Sequence, residues 1–90
     1  MAAEKSPVDM TFAELCVLLS YVSKNRPLTP PEVCELLGVT DQCIRQQRIS
    51  GTGPYFLKAP GSRLVRYAEV DVLRWIALGR RQSTSEGRAA

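Results

Sequence analysis

The pattern of apolar and polar positions is clearest between residues 28 and 51, where it predicts two helices joined by a three-residue turn. In the first helix, Val33, Leu36 and Leu37 lie at positions i, i+3 and i+4 and form one apolar stripe. In the second helix, Ile44 faces inward while the polar residues around it mostly face outward. Two short helices around such a turn are a helix-turn-helix pattern.

Residues at the ends of these helices support the predicted boundaries. Thr29 and Glu32 fit a capping box at the start of the first helix. Gly38 suits the left-handed residue that ends it. Thr40 is a good N-cap for the second helix, and Gly51 closes that helix.

The outward face of the second helix carries amides and guanidiniums. Arginine hydrogen-bonds guanine, and glutamine hydrogen-bonds adenine, in the major groove of DNA. An ordinary helical hairpin with a solvated polar face explains residues 28–51 equally well, so the residues after Gly51 decide. The residues that we expect to contact DNA from this helix are Thr40, Gln42, Arg45, Gln46 and Arg48.

Two short runs rich in aromatic and aliphatic residues, 55–58 and 64–67, predict a β-hairpin within residues 54–67. A Pro-Gly turn lies between them. Alternation places Phe56 and Lys58 on the side opposite Tyr55 and Leu57. The hairpin side chains that we expect to contact phosphate are Lys58, Ser62, Arg63 and Arg66.

Helices are also predicted on both sides of this central region. Residues 9–23 have a capping box at Thr11 and Glu14 and an apolar stripe that extends to Val22. Residues 68–79 form a helix so apolar that it is either buried on two sides or part of an interface. Residues 1–8 are expected to be flexible and residues 82–90 disordered, which leaves a single domain over residues 9–81.

Charge is distributed unevenly along the 90 residues. Residues 1–44 contain three Lys or Arg against six Asp or Glu, a net charge of −3. Residues 45–90 contain nine against three, a net charge of +6. The basic half begins inside the second of the two central helices, and this charge distribution indicates a polyanionic partner. Arginines that serve only to keep the protein in solution would give the same net charge.

Catalytic and metal-binding signals are missing from the sequence. The chain has no His, and its three cysteines, Cys16, Cys34 and Cys43, form no CxxC pair. We therefore expect packing roles for the thiols, no metal, no cofactor and no enzymatic activity. No transmembrane run or signal peptide is visible, so we expect a protein of the bacterial cytoplasm with no membrane partner.

The whole pattern is a mainly α fold with a small β-hairpin, a winged helix-turn-helix with an extra N-terminal helix. From Leu28 to about Arg81 the sequence resembles the MerR-like winged-helix domain of phage and mobile-element excisionases, a domain that AlpA-type regulators share. The segments that carry this resemblance are LTPPEVCELLGVT, GTGP, VRY and DVLRWI. Members often have Trp where this chain has Gln47, so Gln47 is expected to be half-exposed and available to DNA.

The resemblance implies that the helix at residues 40–49 enters a major groove. It also implies that the hairpin is a wing lying on the backbone or in a minor groove. The function that follows is a recombination directionality factor. It would bind double-stranded DNA beside an attachment site together with further copies of itself, bend the DNA and steer a tyrosine integrase toward excision. The alternatives are a transcription regulator of mobile-element genes and a protein-interaction module.

Overall fold

The computed structural model describes residues 6–79, and the predicted tail at 82–90 and most of the N-terminal segment 1–8 lie outside these residues. Within the described part the fold is mainly helical with one two-stranded hairpin, as predicted. No helix in this part is long and apolar enough to cross a membrane. The elements are α1 (Phe12–Leu19), α2 (Pro30–Leu37), α3 (Asp41–Ser50), β1 (Leu57–Lys58), β2 (Val65–Arg66) and α4 (Glu69–Leu78).

The ends of α2 and α3 are those that the local signals predict. Thr29 and Glu32 form a reciprocal capping box, in which each side chain accepts the backbone N–H of the other residue. Gly38 ends α2 with a φ of 70°, in the left-handed region where glycine has no steric penalty. The Thr40 hydroxyl accepts the N–H of Cys43 at 3.1 Å and caps α3. The turn between the two helices is therefore residues 38–40.

The hairpin is antiparallel and shorter than the sequence runs predict. Leu57 pairs with Arg66 and Lys58 with Val65. Tyr67 leaves β1 and pairs with Leu28 instead, through N–H···O bonds of 2.7 and 2.9 Å in the two directions. This bridge attaches the hairpin to the segment that leads into α2, so the hairpin and the helix pair share one core.

The extra helix α1 covers less of the chain than residues 9–23. Thr11 and Glu14 form the predicted capping box, but Pro7–Asp9 is a separate 3₁₀ turn. Ser20 adopts a left-handed conformation with a φ of 55° and ends α1 at Leu19. The prediction that Val22 continues the apolar stripe is wrong, because the chain has turned there and the Val22 side chain is 85% exposed.

Two cores meet at α4, which settles how its apolar surface is used. Val72 belongs to the core formed by α2, α3 and the hairpin. Leu73 and Ala77 belong to a second core with Leu15 of α1. Helix α4 is therefore buried on two sides, the first of the two alternatives that its sequence left open. All three cysteines are free and half-buried, and burial raises the pKa of the Cys34 thiol.

A buried carboxylate at the start of α4 holds the segment between α1 and α2. Glu69 accepts hydrogen bonds from the Tyr21 hydroxyl, the Ser23 hydroxyl at 2.7 Å and the Lys24 N–H at 2.8 Å. Burial alone would raise the pKa of Glu69, but these bonds outweigh it and leave the pKa below its ordinary value. The carboxylate thereby joins α1 to the remainder of the domain.

Candidate DNA-binding surface

A cleft of about 370 Å³ lies between α3 and the hairpin. One wall is the second half of α3, and the other is one face of the hairpin. Its charged side chains are all cationic, and two come from each wall. The lining residues are Arg45, Arg48, Ile49, Phe56, Lys58, Arg63 and Val65.

Strand alternation explains which hairpin residues reach this cleft. Lys58 and Val65 are paired across the strands, so their side chains leave the same face, which is the face toward α3. Leu57 and Arg66 are the neighbouring pair and leave the opposite face. Of the predicted phosphate contacts, Lys58 and Arg63 therefore line the cleft and Arg66 does not. The Arg66 guanidinium instead donates to the carbonyl of Val65 at 2.8 Å.

Arg48 is half-buried and is held by the hairpin rather than pointing freely outward. Its Nη1 donates to the hydroxyl of Tyr67 at 2.9 Å, and its guanidinium lies 6.0 Å from the centre of the Phe56 ring, within cation–π range. Tyr67 is itself fully buried. The guanidinium has five N–H donors, so it can bond Tyr67 and still present donors to the cleft.

Arg45 is the most exposed cation on the α3 side, with 66% of its side chain accessible. Its Nη2 lies 3.0 Å from a carboxylate oxygen of Asp41, one turn earlier in α3. An exposed pair of this kind contributes less than about 1 kcal/mol to stability. Arg45 can therefore exchange Asp41 for a stronger anion at little cost.

The remaining predicted contacts occupy different surroundings. Gln42 and Gln46 are exposed on α3 and available to a groove. The Thr40 hydroxyl already accepts the cap bond to Cys43, and the Ser62 hydroxyl accepts the N–H of Leu64 at 3.0 Å. The Thr40 hydroxyl thus orders the start of α3, and the Ser62 hydroxyl orders the hairpin turn.

Gln47 is half-buried, as expected, but its side-chain oxygen is not exposed. Its side-chain oxygen is fully buried and has no hydrogen-bond partner among the described residues. It packs against Gly53, where an added Cβ would approach the Gln47 Cβ to 2.8 Å. The amide oxygen is therefore directed into the loop after α3 and not toward DNA.

Sequence reasoning missed the aromatic support of the cleft. Phe56 and Tyr67 have ring centres 6.2 Å apart and together fix Arg48. The alternation of the hairpin already placed Phe56 on the side of Lys58. The strand register, in which Lys58 pairs with Val65, places Tyr67 there as well. What the sequence did not show was that Arg48 would turn toward that side.

Comparison with protein families gives a match to a family described as a helix-turn-helix domain, over residues 27–78. The match covers more than half of the chain. The chain belongs to this helix-turn-helix family. No curated protein and no solved structure matched. The matched residues of the helix-turn-helix domain include α2, α3, the hairpin and α4, whereas α1 lies outside them.

Family membership indicates DNA binding, because a helix-turn-helix places its second helix in the major groove. In this chain the second helix is α3, which carries the exposed Gln42, Arg45 and Gln46. The cationic cleft lies directly beside it. The second helix of the helix-turn-helix and the cationic cleft are thus adjacent.

Proposed function

We propose that this helix-turn-helix protein is a non-enzymatic recombination directionality factor of a mobile element. It binds double-stranded DNA beside an attachment site, bends it, and steers a tyrosine integrase toward excision. The resemblance of residues 28–81 to the MerR-like domain of excisionases supports the choice of this function among those of DNA-binding proteins.

The observation that carries the DNA-binding part of the proposal is the cleft with two cations on each wall. With α3 in a major groove, the sugar–phosphate backbone that borders that groove runs between α3 and the hairpin. Arg45 and Arg48 then face one side of the backbone, and Lys58 and Arg63 face the other. Such contacts fix the position of the protein on the duplex and leave base recognition to the exposed side chains of α3.

Binding by several copies is part of this function. A single module of this kind buries roughly 600–1,000 Å² of protein surface and selects its site weakly. The apolar faces of α1 and α4 largely cover one another and leave little surface there for self-association. Contacts between copies would therefore use apolar side chains that are still exposed, such as Val17 and Leu78.

The test combines footprinting with a recombination assay. The purified chain is footprinted on DNA flanking its own gene, and excision by the integrase encoded nearby is measured with and without it. We expect protected sites beside the attachment site and excision that depends on the protein. Protection confined to a promoter, with excision unchanged, would reject the recombination role and favour a transcription regulator.

A further inference from the structure

The face of the hairpin that points away from α3 carries two exposed leucines. Leu57 and Leu64 are 53% and 48% exposed, and neither belongs to the two cores. The Ala59 N–H donates to the Leu64 carbonyl, which continues the register by one pair beyond Lys58 and Val65. Leu57 and Leu64 therefore leave the same face as diagonal neighbours and form one continuous apolar surface.

The position of this surface follows from the cleft on the other side of the hairpin. A backbone strand separates the major groove from the minor groove of a duplex. If α3 lies in the major groove and the DNA backbone lies in the cleft, the hairpin is on the other side of that backbone. Its far face then meets the minor groove. This step rests on the proposed DNA binding.

We propose that Leu57 and Leu64 form an apolar wedge that enters the minor groove and bends the duplex. Aliphatic side chains inserted from the minor groove partly unstack a base step and kink DNA by roughly 20–90° toward the major groove. A hairpin that only lay on phosphates would gain nothing from two large aliphatic side chains on this face.

The charges around the two leucines fit this partner. Arg66 leaves the same face beside Leu57, whereas Arg63 lines the cleft on the opposite face. An apolar centre with a cation at its edge matches a groove whose walls are sugars and whose edges are phosphates. No acidic residue lies in the hairpin segment 54–67, so nothing on this face repels DNA.

The experiment compares DNA bending at saturating protein, where differences in affinity no longer matter. A duplex containing a footprinted site carries a fluorescent donor and acceptor at its ends, and energy transfer reports the bend. The test variant is Leu57→Thr/Leu64→Thr, because threonine keeps strand propensity and removes most of the apolar surface. Val22→Thr, at an exposed apolar position in the segment after α1, is the matched control, and Leu57→Ile/Leu64→Ile tests for rescue.

We expect the wild type, the Val22→Thr variant and the double isoleucine variant to bend the duplex. The double threonine variant should occupy the same site and leave it close to straight. A double threonine variant that bends DNA as strongly as the wild type would overturn the wedge. If that variant also loses binding at neighbouring sites, this face makes contacts between proteins instead. If the wild type does not bind DNA at all, the proposed function itself fails.

Discussion

At the scale of single residues, we infer that the ion pair between Asp41 and Arg45 limits how strongly α3 attracts DNA. The two groups are 3.0 Å apart and mostly exposed, so the carboxylate competes with phosphate for the guanidinium. Asp41 also stabilises the positive end of α3 by about 0.3–1 kcal/mol. We therefore expect the same carboxylate to favour folding and to oppose DNA binding.

We predict that Asp41→Asn binds DNA severalfold more tightly at low salt, although the protein becomes slightly less stable. Glu35→Gln is the matched control, because it removes an equal charge from an exposed position outside the cleft. Gel-shift titrations at low and high salt measure the effect, which should shrink as salt screens the charges. If Asp41→Asn binds no more tightly than Glu35→Gln, Arg45 does not meet the DNA.

The hydroxyl of Tyr67 has a specific role in placing Arg48. Tyr67→Phe removes the 2.9 Å hydrogen bond while keeping the buried ring. We expect a loss of about 0.5–1.5 kcal/mol in unfolding free energy and weaker DNA binding, because Arg48 loses its fixed orientation in the cleft. Tyr55→Phe, at a position 82% exposed, should change neither quantity. Equal DNA affinities for the two variants would show that Arg48 does not contribute to DNA binding.

At the scale of elements, the helix pair could be predicted because its signals are local. Thr29 and Glu32 lie three residues apart, and Gly38 and Thr40 border a single turn. The faces of the hairpin were also predictable, since alternation needs no knowledge of the rest of the fold. These features are decided by neighbours in sequence, and the structure has them as predicted.

Features set by distant contacts could not be predicted. Helix α1 stops at Leu19, and the chain then turns so that Tyr21 reaches Glu69, 48 residues away. Arg48 turns toward the hairpin because its guanidinium donates a hydrogen bond to the Tyr67 hydroxyl. The sequence assigned Arg48 an outward side chain and Val22 an inward one. Both assignments depended on helical periodicity alone, which does not include tertiary hydrogen bonds.

At the scale of the whole molecule, stability depends on Glu69, which joins the linker after α1 to α4. Its pKa lies below the ordinary value of 4.5 in the folded protein, and the ordinary value applies in the unfolded chain. The stabilisation from this carboxylate is therefore fully present above about pH 4.5 and is lost as the pH falls through the folded pKa.

We predict that the wild type loses unfolding free energy between neutral pH and about pH 3, and that Glu69→Gln shows a shallower dependence from a lower starting value. Asp71→Asn, two residues further along α4, should keep the dependence of the wild type. Urea unfolding at a series of pH values measures this. Part of the slope will remain in Glu69→Gln, because hydrogen bonds from Arg26 also lower the pKa of Glu32. Identical slopes for Glu69→Gln and the wild type would contradict the role given to this carboxylate.

The central claim is that the cleft between α3 and the hairpin holds the DNA backbone, and the salt dependence of binding tests it most directly. Each lost phosphate contact lowers the slope of log affinity against log salt by about 0.9 on duplex DNA, whatever its sequence. Lys58→Ala/Arg63→Ala removes both cations from the hairpin wall, and Lys24→Ala is a control at an exposed cation outside the cleft. We predict a slope reduced by about 1.8 in the double variant and unchanged in the control. A double variant with the slope of the wild type would contradict the account, since the backbone would then not lie in the cleft.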